Sequence, residues 1–373
     1  MRYIIREFNN EEKFKYNAGS KARNDADFIL RNAGAKEIPV PVMNAKEREK
    51  AGQIRSLYYH LTVEKAWEKV LTDLRDGDTV IFQFPVKAHT VLLSRVLRKL
   101  RQRGIRTVAL IHDLEYLRNV NYAQTSKSTG LRLKMEEVSA LKEFTRIIAH
   151  NESMKRFLTD RLGIDEKKIV VLGIFDYLIP DYDPEVIRYD RLSVNIAGSM
   201  DPDKSGYIYK LPAGIQFELY GADYRGSESA FVHYHGKFPP DEIPGKLTGG
   251  FGLVWDGTET DTCSGVFGSY LRYNNPHKTS LYLAAGIPVI IWEEAAMAGF
   301  VRNERCGIVL SSLNELGKVL KRLTEDEYQE MKMNAETVGK RLREGYYTLR
   351  AVNACDWGCR EYVCVETNGN GGK

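Results

Sequence analysis

Apolar bursts of a few residues recur along the chain, separated by stretches whose apolar positions return every three or four residues. Short bursts bounded by turn residues read as buried strands, and the 3.6-residue period reads as helix. The first half predicts strands at 3–5, 38–42, 79–84, 107–112, 146–150 and 168–172, with helices such as 22–30, 91–100 and 136–144 between them. The second half predicts strands at 192–197, 216–220, 231–234, 252–255, 288–292 and 307–310, then helices over 314–323 and 326–349. Alternating β and α over this length predicts an α/β fold with parallel sheets wrapped by helices, whose ligands gather at the carboxyl ends of the strands. One stretch interrupts the rhythm. DYLIPDYDPEVIRYD, Asp176 to Asp190, holds two prolines and four aspartates without amphipathic period. It reads as a solvated linker between domains. The expected division is therefore 1–175, a linker at 176–190, 191–325, a helix at 326–354 packing across both domains, and a tail at 355–373 ending in the low-complexity run TNGNGGK.

Composition narrows the class. A chain of 373 residues suits two domains, each with its own core. Its formal charge of only +4 gives no case for nucleic acid. No apolar run approaches a membrane span, and the opening MRYIIREFNNEEKF lacks a signal-peptide apolar region, so a cytoplasmic protein is expected. The five cysteines, at 263, 306, 355, 359 and 364, match no common zinc spacing and read as free thiols. Six basic residues between Arg95 and Arg106, with no acidic one, read as a solvated helix face; the alternative is a patch resting on anionic lipid, a peripheral contact at the inner face of the membrane.

Candidate chemistry sits in the loops after the strands. Asn274 to Trp292 reads as a polar loop, a short helix from Pro276 to Ala285, a stop at Gly286 and a buried strand. The start of that helix, with Asn274, Asn275 and Lys278 around it, offers backbone N–H groups, the positive dipole end and an ammonium to a phosphate. Gly198-Ser199 followed by Lys204, Tyr220-Gly221, Tyr234-His235-Gly236 and Asp256-Gly257 line the same rim. They supply aromatic faces for a base, Lys204 for phosphate and Asp256 for hydroxyls. In the first half, the loop Asn17 to Ala22 presents Gly19 and Ser20 ahead of a helix, suited to a plain cap or to a phosphate. His112, Asp113 and Glu115 end a buried strand, where a carboxylate beside an imidazole can take a proton from a sugar hydroxyl or serve only as cap and core. Asp181-Tyr182-Asp183 and Asp201-Pro202-Asp203 superficially match a metal-binding Asp-x-Asp. Without further oxygen ligands such a pair holds a divalent ion poorly, and no metal is expected.

Taken together, NAGSKARNDAD (17–27), HDLEYLR (112–118), GGFGLVWDG (249–257) and YNNPHKTSLYLAAGIPVIIW (273–292) resemble a bacterial family of GT-B-fold glycosyltransferases. That family includes β-1,6-galactofuranosyltransferases of polysaccharide synthesis and the glucosyltransferase that extends N-acetylglucosamine on serine-rich repeat adhesins. The likeness runs to about Ala354. It implies two Rossmann-like domains, an N-terminal one for the acceptor and a C-terminal one for a UDP-sugar, with C-terminal helices crossing between them, no metal, and self-association into a homo-oligomer. The acceptor would be a glycan, a lipid-linked glycan or a glycoprotein. Carried over, the donor contacts would be Gly19, Ser20, Lys204, Tyr220, Tyr234, Asp256, Asn275 and Lys278. Asn274-Asn275 stand where larger retaining families place a glutamate, which favours an inverting route with Asp113 as base and Glu115 and His112 behind it. The competing readings are a UDP-sugar epimerase, an NAD-dependent dehydrogenase, which the missing GxGxxG argues against, and a catalytically silent nucleotide-binding partner.

Overall fold

A computed structural model describes residues 1–8, 18–41, 53–87, 92–120, 127–183 and 190–356. Twelve strands form two six-stranded, all-parallel sheets. The first contains β1 (Arg2–Phe8), β2 (Lys36–Pro41), β3 (Thr79–Phe84), β4 (Arg106–Ile111), β5 (Arg146–Ala149) and β6 (Ile169–Val171), in the order β2-β1-β3-β4-β5-β6. The second contains β7 (Asp190–Ala197), β8 (Gln216–Tyr220), β9 (Val232–Tyr234), β10 (Gly249–Val254), β11 (Val289–Trp292) and β12 (Gly307–Leu310), in the order β12-β11-β10-β7-β8-β9. Counted within the second sheet this is the 3-2-1-4-5-6 order of a dinucleotide-binding fold, and its direction reverses between β7 and β10. Helices cover the central strands on both faces, and β3 and β10 are buried along their whole length, whereas the edge strands β6, β9 and β12 are only partly covered. Such strands read as near-continuous apolar runs because neither face meets water.

Several boundaries differ from the sequence expectation, each for a local reason. The first helix begins at Ala18, so Gly19 and Ser20 lie inside its first turn and not in a loop ahead of it. The stretch read as one helix at 136–144 is a π-helical turn, Lys134–Val138, followed by the helix Ser139–Glu143. The long final helix is two, Glu325–Arg343 and Tyr346–Ala354, split by Gly345 at φ +74°. A side chain at Gly345 would meet Ile29 of the first domain at 2.7 Å, so the residue serves both the turn and the close approach.

Nor is the linker simply solvated. Asp176 and Tyr177 are buried. The Asp176 carboxylate accepts the backbone N–H groups of Tyr347 and Thr348, and Asp190 already belongs to β7. The final helix crosses back to the first domain, where Arg350 donates to the carbonyl of Leu172 and Arg2 pairs with Asp356. Cys355, placed in the tail by sequence, is buried at the end of that helix, whereas Cys359 and Cys364 lie outside the described residues.

The basic helix, Leu93–Gln102, spends its charge internally. Arg98 and Arg101 meet Glu143, Lys99 meets Glu64 and Glu68, and Arg95 meets Glu64. Arg103 donates to the carbonyls of Leu71, Thr72 and Leu74, and Arg106 to that of Gly77. Three carboxylates thus answer four of the six cations, and the bonds of Arg103 and Arg106 to carbonyls leave their charge in place. No described helix is long and apolar enough to cross a membrane.

Candidate functional site in the interdomain crevice

The switch point between β7 and β10 carries Lys204 on one side and Asp256 on the other. Asp201 caps the short helix Pro202–Ser205, its side chain accepting the N–H of Asp203 at 2.9 Å, and that helix brings Lys204 to the rim. The Lys204 carbonyl accepts the N–H of Gly257 at 2.8 Å, tying the two loops together. From the next connection the helix His277–Ala284 supplies Lys278, whose Nζ donates to Asp256 Oδ1 at 2.8 Å and to the Trp255 carbonyl at 2.9 Å. This helix is held tightly against the sheet. Tyr282 lies over Gly252, where any side chain would overlap its ring at 2.0 Å, and its hydroxyl accepts the N–H of Ala197 at the end of β7. Gly286 at φ +72° ends the helix in the left-handed conformation.

The first domain answers across the gap with Asp113 and Arg118. Arg118 pairs with Asp113 and lies 5.1 Å over the ring of Tyr270. Lys204 sits in the combined field of Asp256, Lys278, Arg118 and Asp113. Burial pulls its ammonium below the usual lysine range, with Lys278 and Arg118 adding to the effect and the two aspartates opposing it. Three cations from two domains thus converge against two carboxylates. Around the helix start, buried polar atoms lack protein partners: Asn274 Oδ1, His277 Nε2 and Thr279 Oγ1, together with both ring nitrogens of His112. Three histidines surround Phe175, with His112 stacked at 5.3 Å and His150 and His277 edge-on at 4.9 and 6.2 Å. Burial holds all three neutral; His150 and His277 are pulled down to about 4 and His112 well below its ordinary value. Among the described residues no three His, Cys, Asp or Glu side chains are grouped to hold a metal.

Not every residue singled out by sequence faces this space. Asn275 is 4% exposed and spent on the other domain. Its amide donates to the carbonyls of His150 at 2.7 Å and Gly173 at 3.0 Å, its side-chain oxygen accepts from Asn151, and its backbone N–H donates to His150 Nδ1 at 3.0 Å. Its side chain is a latch in this arrangement, with no capacity left for a donor contact. Tyr220 is buried, stacked on His235 at 4.7 Å and bonded through its hydroxyl to Thr248, so its ring is no open platform for a base. Tyr234 donates to the Gly221 carbonyl and packs on Tyr224, which stacks on the exposed Tyr209. Ser20 and Glu115 have partners of their own, and the Glu115 N–H is taken by Glu137. Arg118 and Tyr270 escaped the reading by sequence. Arg118 lies within the HDLEYLR stretch and was the one signal available, whereas nothing local marks Tyr270.

Comparison with known proteins gives a consistent result. Residues 2–174 match the family model for the glucosyltransferase 3-like N-terminal domain, and residues 194–355 match that for its C-terminal domain. The chain is 32% identical over 336 residues to the beta-1,6-galactofuranosyltransferase WbbI of Escherichia coli K12, covering 87% of this chain and 94% of that one. It is 26% identical over 292 residues to glucosyltransferase 3 of Streptococcus parasanguinis, covering 78% and 82%. Among solved structures, WaaG, a glycosyltransferase of lipopolysaccharide biosynthesis, superposes with a TM-score of 0.57 at 12% identity, covering 96% of this chain and 100% of that one. This last likeness is one of fold, two Rossmann-like units in a GT-B arrangement.

Proposed function

Because the chain belongs to the glucosyltransferase 3-like family and is a glycosyltransferase, we propose that it moves a hexosyl residue (galactofuranose, glucose or galactose) from a UDP-sugar to a sugar acceptor. The observation that supports the UDP-sugar reading is the packing of two cation-bearing loops: Lys278 bonded to Asp256 at 2.8 Å with the Lys204 carbonyl tied to Gly257 beside it, and, across Tyr270, whose helix packs on the Asp256 carbonyl, Arg118 of the first domain. Like charges gathered at a partly dry site are costly alone and favourable around a diphosphate. The unpartnered Asn274 Oδ1, His277 Nε2 and Thr279 Oγ1 at the helix start support a polar ligand there.

In the reaction the acceptor hydroxyl oxygen attacks the anomeric carbon, the bond from that carbon to the β-phosphate oxygen breaks, and UDP leaves with the bonding pair. Lys204, Lys278 and Arg118 stabilise the charge that develops on the leaving phosphate, and their place is fixed beforehand, so no reorganisation is needed at the moment of transfer. On an inverting route the hydroxyl proton goes to a base on the opposite side of the sugar. Asp113 is the first choice because it lies in the loop that follows β4, with Glu115 and His112 as the other groups on that loop. His112 stands last, because the burial that keeps its ring neutral also opposes its taking a proton. No metal is assigned a role. The acceptor in this reading is a glycan, a lipid-linked glycan or a glycoprotein, met in the cytoplasm or at the inner face of the membrane.

Calorimetric titration with UDP, followed by mass spectrometry of UDP-glucose, UDP-galactose and UDP-galactofuranose with a panel of sugar acceptors, tests this. The expected outcome is UDP binding and a glycoside heavier by one hexosyl unit. A protein that ignores UDP, or that changes the UDP-sugar without any acceptor, would overturn it.

A further inference from the structure

We infer that the hydroxyl of Tyr270 is a positioning group through which the donor-binding domain sets the acceptor-side loop His112–Arg118. Tyr270 ends the helix Gly265–Tyr270 of the second domain, yet its ring is 5% exposed and belongs to the hydrophobic core of the first. Its hydroxyl donates to Asp113 Oδ1 at 2.7 Å and accepts the N–H of Leu114 at 3.0 Å. The face of its ring carries the guanidinium of Arg118, itself paired with Asp113. One side chain from the far domain therefore holds the carboxylate, the next amide and the cation of this loop. Burial keeps the phenol protonated and able to donate.

The helix that carries Tyr270 rests directly on the donor side. A side chain at Gly268 would meet the carbonyl of Asp256 at 2.8 Å, and one at Gly257, φ +114°, would meet the N–H nitrogen of Ser264 at 2.6 Å. Asp256 in turn holds Lys278. A packed path thus runs from the cations of the crevice through the Asp256 turn to Tyr270, and from there to Asp113 and Arg118. The following half of the loop is anchored otherwise. Glu137, buried on the π-helical turn of its own domain, accepts the N–H groups of Glu115 at 3.2 Å and Tyr116 at 2.8 Å. Tyr270 thus reaches Asp113, Leu114 and Arg118 from the second domain while Glu115 and Tyr116 are anchored within the first, so the placement of Asp113 and Leu114 follows the meeting of the domains around the donor.

This inference rests on the donor reading above, and Tyr270→Phe separates the two, since it deletes one oxygen and keeps the packed ring. Hydrogen exchange over residues 112–118 is measured with and without UDP, beside the UDP dissociation constant and turnover of the UDP-hexose that the wild type uses. The wild type is expected to bind UDP and to gain protection over that segment. The variant is expected to bind UDP within about twofold of the wild type, to lose that protection, and to fall about tenfold or more in kcat with the donor KM unchanged, as for a lost hydrogen bond to a charged group. UDP-dependent protection that persists in the phenylalanine variant overturns the inference and leaves the donor site standing. A wild type without UDP affinity overturns the donor reading itself. Should the phenylalanine variant fail to fold, Asp113→Ala removes the same bond from the other side and is read by the same exchange measurement.

Discussion

The two loops that meet across the crevice are fastened in opposite ways. On the second domain, Asn274 to Lys278 divides its labour by residue: Asn275 turns away to grip His150, Asn151 and Gly173, and Lys278, three positions on, turns inward to Asp256. On the first domain, His112 to Arg118 is gripped from outside, at Asp113 and Leu114 by Tyr270 across the seam and at Glu115 and Tyr116 by Glu137 of its own domain. One loop holds and the other is held. A motif residue can therefore matter to the reaction without touching substrate, and loss of binding, turnover or stability distinguishes which side of the division it serves.

Substitutions sharpen this contrast. The largest expected effect is on the held loop. Asp113→Asn should reduce turnover by about 10²-fold or more while UDP binding persists; an active variant would return Asp113 to the role of a cap and ion-pair partner. On the holding loop, Lys278→Ala should weaken UDP binding by roughly 1.5–3 kcal/mol, because a charge-assisted contact is lost and Asp256 keeps its buried charge. Unchanged affinity by calorimetry would remove Lys278 from the donor site. Asn275→Ala should do the opposite, lowering unfolding free energy by about 2 kcal/mol in denaturant titration with little change in UDP affinity, since it removes three side-chain hydrogen bonds to the first domain, while the His150 carbonyl keeps the Gly173 N–H and the Asn151 amide keeps the Tyr273 carbonyl. A strong loss of UDP affinity at unchanged stability would reverse its assignment.

The smallest effect is one of pH. Burial, with Glu115 and Asp113 nearby, raises the Glu137 carboxyl to about 8, while its two N–H bonds oppose the shift. A group whose folded value lies above its unfolded value of about 4.5 contributes stability that is complete below the lower value and is lost as pH rises through the upper one. Glu137→Gln has no such loss, so the melting temperature of the variant minus that of the wild type should grow by a few degrees between pH 5 and pH 8.5. Parallel melting curves over that range would show that Glu137 is ionised throughout.

How much of this was legible in the sequence follows from where each signal resides. Each of the twelve strands was visible as an apolar burst, most plainly β3, β10 and β11, whose burial makes them near-continuous apolar runs, and less so edge strands such as β9, which is half-exposed. Lys204, Asp256 and Lys278 lie close together because the parallel topology of the second sheet gathers its strand ends on one rim, whereas Asp113 comes from the first sheet and is reached through Tyr270. What stayed hidden depends on contact between domains. Asn275 and Tyr220 look like ligand groups until their packing partners are known, and Tyr270 has a role only because Asp113 lies 157 positions away in sequence and 2.7 Å away in space. Helix ends failed for a simpler reason: the break at Gly345 answers to Ile29 of the first domain, which no local window contains.

The final helix has a bearing on how the molecule is made. Tyr347 and Thr348 cap Asp176, Arg350 bonds Leu172 and Asp356 pairs with Arg2, so the first domain borrows part of its finished surface from the last residues described. During synthesis, the N-terminal half waits, incompletely sealed, until residues 346–356 have emerged from the ribosome. A nascent chain stopped before Gly345 should accordingly remain open to protease near Asp176, and one stopped after Asp356 should not.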